Sequence, residues 1–354
     1  MFGVARYVII GAGAVGGAIG GRLVLAGRDV VLVARGAHLD ALRTGGLRLR
    51  TPDEDVTLPV VAAAGPDELA LMADDVLVLA TKTQQAEAAL ATWADAPVSG
   101  GGTAGERLPI FLALNGVTAE VLAQRYFERV FGVCVWMPTV HLLPGEVIIR
   151  STPKSGMLHL GRVPASADPA DVGLLHHVAA DLEAANFDAP LPPDVLPWKY
   201  RKLISNIGNI LQALVARNGD WRPLATRAEA EARAVLDAAG IACTTDGDER
   251  EARAAGFTMK PVPGVVDPGG STWQSLARGT GNVETDYLNG EIVAIAHRIG
   301  WTAPVNATLA RLGRQAARAG AQPGAMSAAE LEELLPQPRK ADSSAPGGAR
   351  LRRG

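Results

Sequence analysis

Tyr7-Val-Ile-Ile-Gly11-Ala-Gly13-Ala-Val-Gly16-Gly leads through a helical pattern to Gly27 and then into Asp29-Val-Val-Leu-Val-Ala-Arg35. Apolar strand, glycine loop, helix and second strand, in that order, are the plan of a dinucleotide-binding βαβ unit. Gly11 permits the turn off the strand, Gly13 leaves a pyrophosphate room against the backbone, and Gly16 lets the helix lie close on the sheet. The helix start offers its free N–H groups to the phosphates. A bare GxGxxG carries little weight in a chain with 40 glycines; its place between two β-branched strands is what makes it a signal. The candidate cofactor contacts are Gly11, Ala12, Gly13, Ala14, Val15 and Gly16.

The end of the second strand refines this reading. An NAD site places Asp or Glu about 20 residues past the glycines, on the ribose 2′-hydroxyl. This chain has Arg35 there, with no acid between Val30 and Leu39. A cation at that position pairs a 2′-phosphate, so NADPH/NADP+ is the expected cofactor.

Composition bounds the rest. A chain of 354 residues, 48% hydrophobic and 20% charged, predicts two globular domains, each with its own core. A net charge of −3 gives no reason to expect a nucleic acid or an anionic membrane as partner. The two cysteines, Cys134 and Cys243, and the scattered histidines make neither a disulfide framework nor a metal site. Residues 7–26 are nearly uncharged, but glycines at 11, 13, 16, 17, 20 and 21 and Arg22 spoil them as a signal helix. A cytoplasmic location is expected, with no membrane span.

Strand patterns at 7–10, 30–34, 76–80, 110–114 and 131–136 alternate with helical ones, which predicts a doubly wound parallel α/β sheet over residues 1–187. Further strands are expected between 147 and 163, and 99–105 reads as a flexible glycine loop. Residues 188–197 hold four prolines and read as a stiff linker. Helices are expected at 198–217, 224–241, 247–256, 272–278, 284–299 and 304–318, making 198–335 an all-α domain, with 336–354 a disordered tail.

Lys82 and Gln85 follow the third strand, and Asn115-Gly116 the fourth. Ligands of open α/β sheets bind outside the carboxyl ends of strands, so these residues are candidates for cofactor or substrate. In the helix that opens the second half, Lys199, Lys202, Asn206 and Asn209 share one stripe. Two asparagines cost helix propensity, which a merely solvated face has no reason to pay. Ser271 and Glu284 lie in a polar cluster, Ser271 to Glu291, that helix capping alone does not explain.

Together these residues resemble the ketopantoate reductase (2-dehydropantoate 2-reductase) family, from about residue 6 to about residue 320. The resemblance rests on Gly11–Gly16, Arg35, Lys82…Gln85, Asn115-Gly116, Lys202…Asn206 and Ser271…Gln274…Glu284-Thr-Asp-Tyr-Leu-Asn-Gly290. It implies a Rossmann domain joined to an all-α domain, and NADPH-dependent reduction of a 2-oxo acid in the cleft between them, ketopantoate being the default substrate. It implies Lys202 as general acid, Asn206 and Ser271 on the substrate, Asn115 where cofactor and substrate meet, and Glu284 holding the cofactor or the reacting oxygen; a homodimer is compatible with it. Hydride transfer to a ketone leaves a developing alkoxide, which a lysine steadied by a carboxylate such as Glu284 can protonate. The alternatives are a related 3-hydroxyacid or opine-type dehydrogenase and a non-catalytic NADP-binding redox sensor. The retained lysine and glutamate argue against the sensor.

The chain departs from the family pattern at the substrate end. Asn209 stands seven residues after Lys202, where the family usually has asparagine at eight, here Ile210. Pro268 replaces an asparagine common three residues before the serine, and Cys134-Val-Trp136-Met137-Pro138 replaces a Thr-Thr-His-like stretch. An apolar substrate pocket is therefore expected.

Overall fold

The computed structural model describes residues 6–265, 269–279 and 281–336. Its strands are β1 (Tyr7–Ile10), β2 (Val30–Val33), β3 (Leu47–Arg50), β4 (Asp55–Leu58), β5 (Val61–Ala63), β6 (Val76–Leu79), β7 (Pro109–Leu112), β8 (Arg129–Trp136), β9 (Thr139–Val140), β10 (Glu146–Ile149), β11 (Ser151–Pro153), β12 (Met157–Arg162) and β13 (Phe257–Met259). Seven form the main sheet in the order β12-β8-β7-β6-β1-β2-β5, all parallel except β12, which runs antiparallel to β8. All four residues of β1, β2, β6 and β7 are buried, as a sheet covered on both faces requires. Tyr7 and Ile9 join one core and Val8 and Ile10 the other, the period of two that sends neighbouring side chains to opposite faces. Winding proceeds outward from β1 in both directions. The switch point lies between β1 and β6, and the loops after β1, β6 and β7 meet at one edge.

The helix Ala14–Leu25 shows what its glycines are for. A Cβ at Gly16 or Gly20 would strike the main sheet, 3.0 Å from Ile9 or 2.4 Å from Leu32. At Gly17 or Gly21 it would strike a second sheet, β4-β3-β10-β9, 2.7 Å from Val147 or 2.9 Å from Leu47. Two i, i+4 glycine pairs thus let one helix sit tightly between two sheets. The run that weakened the signal-peptide reading is a packing device.

The second half is helical, around a separate core that includes Leu203, Ile207, Ile210, Leu224, Ile292 and Leu309. Three expectations need correction. The helix expected over 198–217 is two, Leu196–Asn206 and Asn209–Leu214, broken at Ile207-Gly208. The helix expected over 284–299 is a 3-10 turn, Glu284–Tyr287, followed by Asn289–Arg298. The proline-rich stretch 188–197 is not a free spacer: Leu158 N donates to Asp188 O at 2.8 Å and Leu160 N to Pro190 O at 3.0 Å, so it continues the sheet beyond β12. Its end already belongs to the helix starting at Leu196, with proline in the first turn. The loop at 99–105 ends in a capping box, Thr103 with Glu106, that starts a helical turn. Pro268 and, beyond Pro336, the expected tail lie outside the described residues.

β11 pairs with β13, which lies within the helical half, so a two-stranded ribbon ties the halves together. No described helix is long and apolar enough to cross a membrane.

Candidate active site

Between the two halves, at the carboxyl edge of the main sheet, lies a cleft of about 750 Å³. Gly11, Gly13, Ala14, Val15, Lys82, Gln85 and Asn115 line it from the sheet, and Lys202, Asn206, Asn209, Ser271 and Glu284 from the helices. Residues separated by up to about 270 positions in sequence thus converge, as the motif order required.

The glycine loop fits a dinucleotide. Gly11 has φ +97°, and its Cβ would meet Thr81 at 2.9 Å, while a Cβ at Gly13 would meet nothing within 4 Å. Open space over Gly13, beside a helix start with no acidic residue in its first turn, suits a phosphate. Ala12 and Gly16 are buried behind the loop and do not line the cleft. Their part is support. A Cβ at Gly16 would stand 2.2 Å from Gly11 O, and Ala12 O accepts from His38 Nε2 at 2.8 Å. His38 Nδ1 accepts from Gly145 N at 2.9 Å, so Nε2 must carry the ring proton. Arg35 also lies off the cleft. It is exposed at the start of the helix Gly36–Gly45, two residues past Val33, whose carbonyl accepts from Gly11 N and Ala12 N.

Glu284 is the hinge of the seam. It is buried, and its carboxylate accepts from Lys82 Nζ at 2.8 Å, Thr83 Oγ1 at 3.1 Å and Thr83 N at 3.3 Å. Burial works to raise its pKa; Lys82 and the Thr83 bonds outweigh burial and hold it below the ordinary carboxylate value. The direct partner of Glu284 is therefore Lys82, not Lys202 as the sequence suggested. Across the same seam Asn206 Nδ2 donates to Asn115 Oδ1 at 3.3 Å.

Lys199 and Lys202, expected on one functional stripe, part company. Lys199 is buried, paired with buried Glu120, and bonded to Leu114 O at 3.2 Å. Lys202 lines the cleft, donates to Val135 O and lies 5.6 Å from the Trp136 ring centroid. Burial lowers its pKa to about 8, so it holds its proton near neutrality and yields it readily.

Lys202, Asn206 and Asn209 stay on one face across the break at Ile207-Gly208, and all three line the cleft. Ile210 is packed in the helical core, and Asn209 faces the cleft. The apolar pocket expected from Ile210 therefore does not form there. Sequence reasoning assigned no role to Thr83, Ser205, Gln212 or Arg253. The last three line the cleft, and Gln212 Oε1 accepts from Gly270 N at 3.1 Å beside Ser271. Glu249 and Arg253 form an ion pair at i, i+4, the spacing of an ordinary helix-surface pair.

The family profile for ketopantoate reductase PanE/ApbA matches residues 7–164, and the profile for its C-terminal part matches 194–317. The chain belongs to the ketopantoate reductase family. These are oxidoreductases. A 2-dehydropantoate 2-reductase of Mesorhizobium japonicum is 30% identical over 348 residues, spanning 89% of this chain and 99% of that one. The crystal structure of a PanE/ApbA family ketopantoate reductase from Ralstonia eutropha has a TM-score of 0.71 at 27% identity, covering 89% of this family member and 99% of that chain. D-mandelate dehydrogenase with NADH and anilino(oxo)acetate shares the fold, with a TM-score of 0.71 at 18% identity over 89% of this chain and 99% of its own.

Proposed function

We propose that this protein reduces a 2-oxo acid to the 2-hydroxy acid with NADPH, ketopantoate to pantoate being the first substrate to test. The observation that carries the reading is Lys202: a half-buried lysine with its pKa lowered to about 8, on the wall of a cleft whose other end is the glycine loop. Gly11, Gly13, Ala14 and Val15 would hold the pyrophosphate, and Lys82, Gln85 and Asn115 the rest of the cofactor near the seam. When bound, the reduced nicotinamide supplies the hydride. Lys202 Nζ gives its proton to the substrate oxygen as negative charge develops there. Asn115 and Asn206, bonded to each other across the seam, orient the carbonyl, while Asn209 and Ser271 take hydroxyl groups of the acid's side chain. Glu284, kept ionised by Lys82, adds a negative field that favours the protonated lysine. Arg35, exposed beside the loop and without an ion-pair partner among the described residues, supports NADPH over NADH. A cytoplasmic location and a homodimer belong to the same reading.

The test is NADPH oxidation with a panel of 2-oxo acids. Because Asn209 faces the cleft, ketopantoate should exceed its deoxy analogue, 2-oxo-3,3-dimethylbutanoate, by about tenfold or more in kcat/KM, the worth of a buried hydrogen bond. Equal efficiencies would show that no side chain reads the hydroxyl. No turnover of any 2-oxo acid would remove the reading.

A further inference from the structure

Glu249 lies on the helix Asp246–Gly256 with only 6% of its surface exposed. Its Oε2 accepts from Arg201 Nη2 at 2.7 Å and Ser205 Oγ at 3.1 Å, and its Oε1 accepts from Arg253 Nη1 at 3.0 Å. One carboxylate therefore serves two guanidiniums. Arg201 has a second anion, Asp246, at 3.1 Å. Arg253 has Glu249 alone among the described residues, and its Nε and Nη2 donors have no protein acceptor there. The guanidinium, on a side chain 42% exposed, lies 5.0 Å from the centroid of Trp136, the ring that Lys202 also approaches at 5.6 Å.

Arg253, Trp136 and Lys202 all line the cleft, so two cations share one indole at its wall. The anion on the opposite side, Glu284, is committed to Lys82 and Thr83. Like charges this close repel in a partly dry site, and an incoming anion relieves them both. Arginine keeps its charge at every working pH, and its planar fork matches a carboxylate with two parallel hydrogen bonds. Glu249 on one edge and Trp136 at one face reduce the orientational freedom Arg253 gives up on binding. The phosphates of a dinucleotide would lie at the glycine loop, on the other half of the molecule.

We infer that Arg253 is a specificity-determining residue that receives a carboxylate of the substrate beside Lys202. The inference rests on the 2-oxo acid reading above and names the group that anchors such an acid.

The test measures binding without turnover. Two unreactive probes, oxamate with one carboxylate and N-oxalylglycine with two, are titrated calorimetrically into protein saturated with NADPH. Arg253→Met, which keeps a side chain of similar length against Trp136, should weaken binding about 10- to 100-fold, as loss of a charge-assisted pair implies. Arg253→Lys should fall between, and NADPH affinity should stay unchanged in both. Loss for both probes assigns the acid's own carboxylate to Arg253. Loss for N-oxalylglycine alone assigns a carboxylate in the side chain and makes the natural substrate a 2-oxo diacid. Unchanged binding of both probes in Arg253→Met, or no binding of either to the unaltered protein, overturns the inference. If Arg253→Met does not fold, Arg253→Lys decides, since the bidentate geometry is lost even where the charge is kept. Arg253-dependent binding in a protein that oxidises NADPH with no 2-oxo acid would leave the carboxylate site standing and remove only the functional reading.

Discussion

Lys199 and Lys202 stand three residues apart on one helix and are set to opposite tasks by what each meets. Lys199 meets Glu120 in a dry interior; Lys202 meets the cleft. Lys202→Ala should lower kcat by about 10²–10⁴, the scale of general acid catalysis, with NADPH binding and melting temperature retained. Lys199→Ala should instead destabilise the fold by about 3–5 kcal/mol, because it strands a buried carboxylate. Activity alone cannot separate the two variants, so thermal unfolding is the deciding measurement. The lowered pKa of Lys202 also sets a pH limb. A proton donor must be protonated, so kcat for reduction should hold below about pH 8 and fall about tenfold per unit above it. In the oxidative direction the limb should invert; the same slope in both directions would exclude Lys202 as the titrating group. Arg35→Ala should weaken NADPH by about 1–3 kcal/mol and leave NADH nearly untouched. Equal loss of both cofactors would make Arg35 a structural residue.

Among the elements, the helix Ala14–Leu25 depends most on the absence of side chains. Gly16→Ala would place a Cβ 2.2 Å from Gly11 O and 3.0 Å from both Ala80 and Ile9, in contacts that no rotamer can relieve. The helix or the loop must move, at a cost of about 1–3 kcal/mol for overpacking. Both the melting temperature and NADPH affinity should fall, and a variant that kept full affinity would show that the loop does not follow the helix. The break at Ile207-Gly208 leaves the stripe of Lys202, Asn206 and Asn209 on the cleft. Ile210 turns inward and Asn209 outward.

At the scale of the molecule, the two halves are held by the ribbon of β11 and β13 and by side chains that cross the seam. Besides Glu284 with Lys82 and Thr83, Thr118 Oγ1 donates to Glu291 at 2.9 Å and Gln84 Nε2 to Asn282 at 2.7 Å. The folded Glu284 carboxyl has a pKa below its ordinary value of 4.5. Its ionised form is the one the fold favours, so its stabilisation is present above that value and disappears as pH falls through the lower folded value. Wild-type protein should therefore melt higher than Glu284→Gln at pH 7, and the gap should close on acidification below about pH 4.5. A gap independent of pH would mean that shape, rather than charge, matters at this position. Lys82 is partly exposed, so solvent screening keeps the gap modest.

Local order carried much of this protein in plain sight. The strand–glycine loop–helix start and the sheet's parallel character follow from period and spacing, because backbone geometry and β-branched runs act over a few residues. Lys82 and Asn115 stand out by their place after strands, and Lys202 and Glu284 by the family resemblance. What the chain alone did not show were relations between distant residues. Nothing local says that Lys199 finds Glu120, that Glu284 takes Lys82 rather than Lys202, or that a proline-rich stretch lies against a sheet edge. Nor could the i, i+4 pair of Glu249 and Arg253 be told from a solvated one until Arg201 took up the same carboxylate and Trp136 came beneath the guanidinium. A side chain's charge belongs to the sequence. Its field, its dryness and its spare hydrogen-bonding edge belong to the neighbours that folding brings, and those neighbours decide which lysine faces the cleft and which arginine keeps a free edge there.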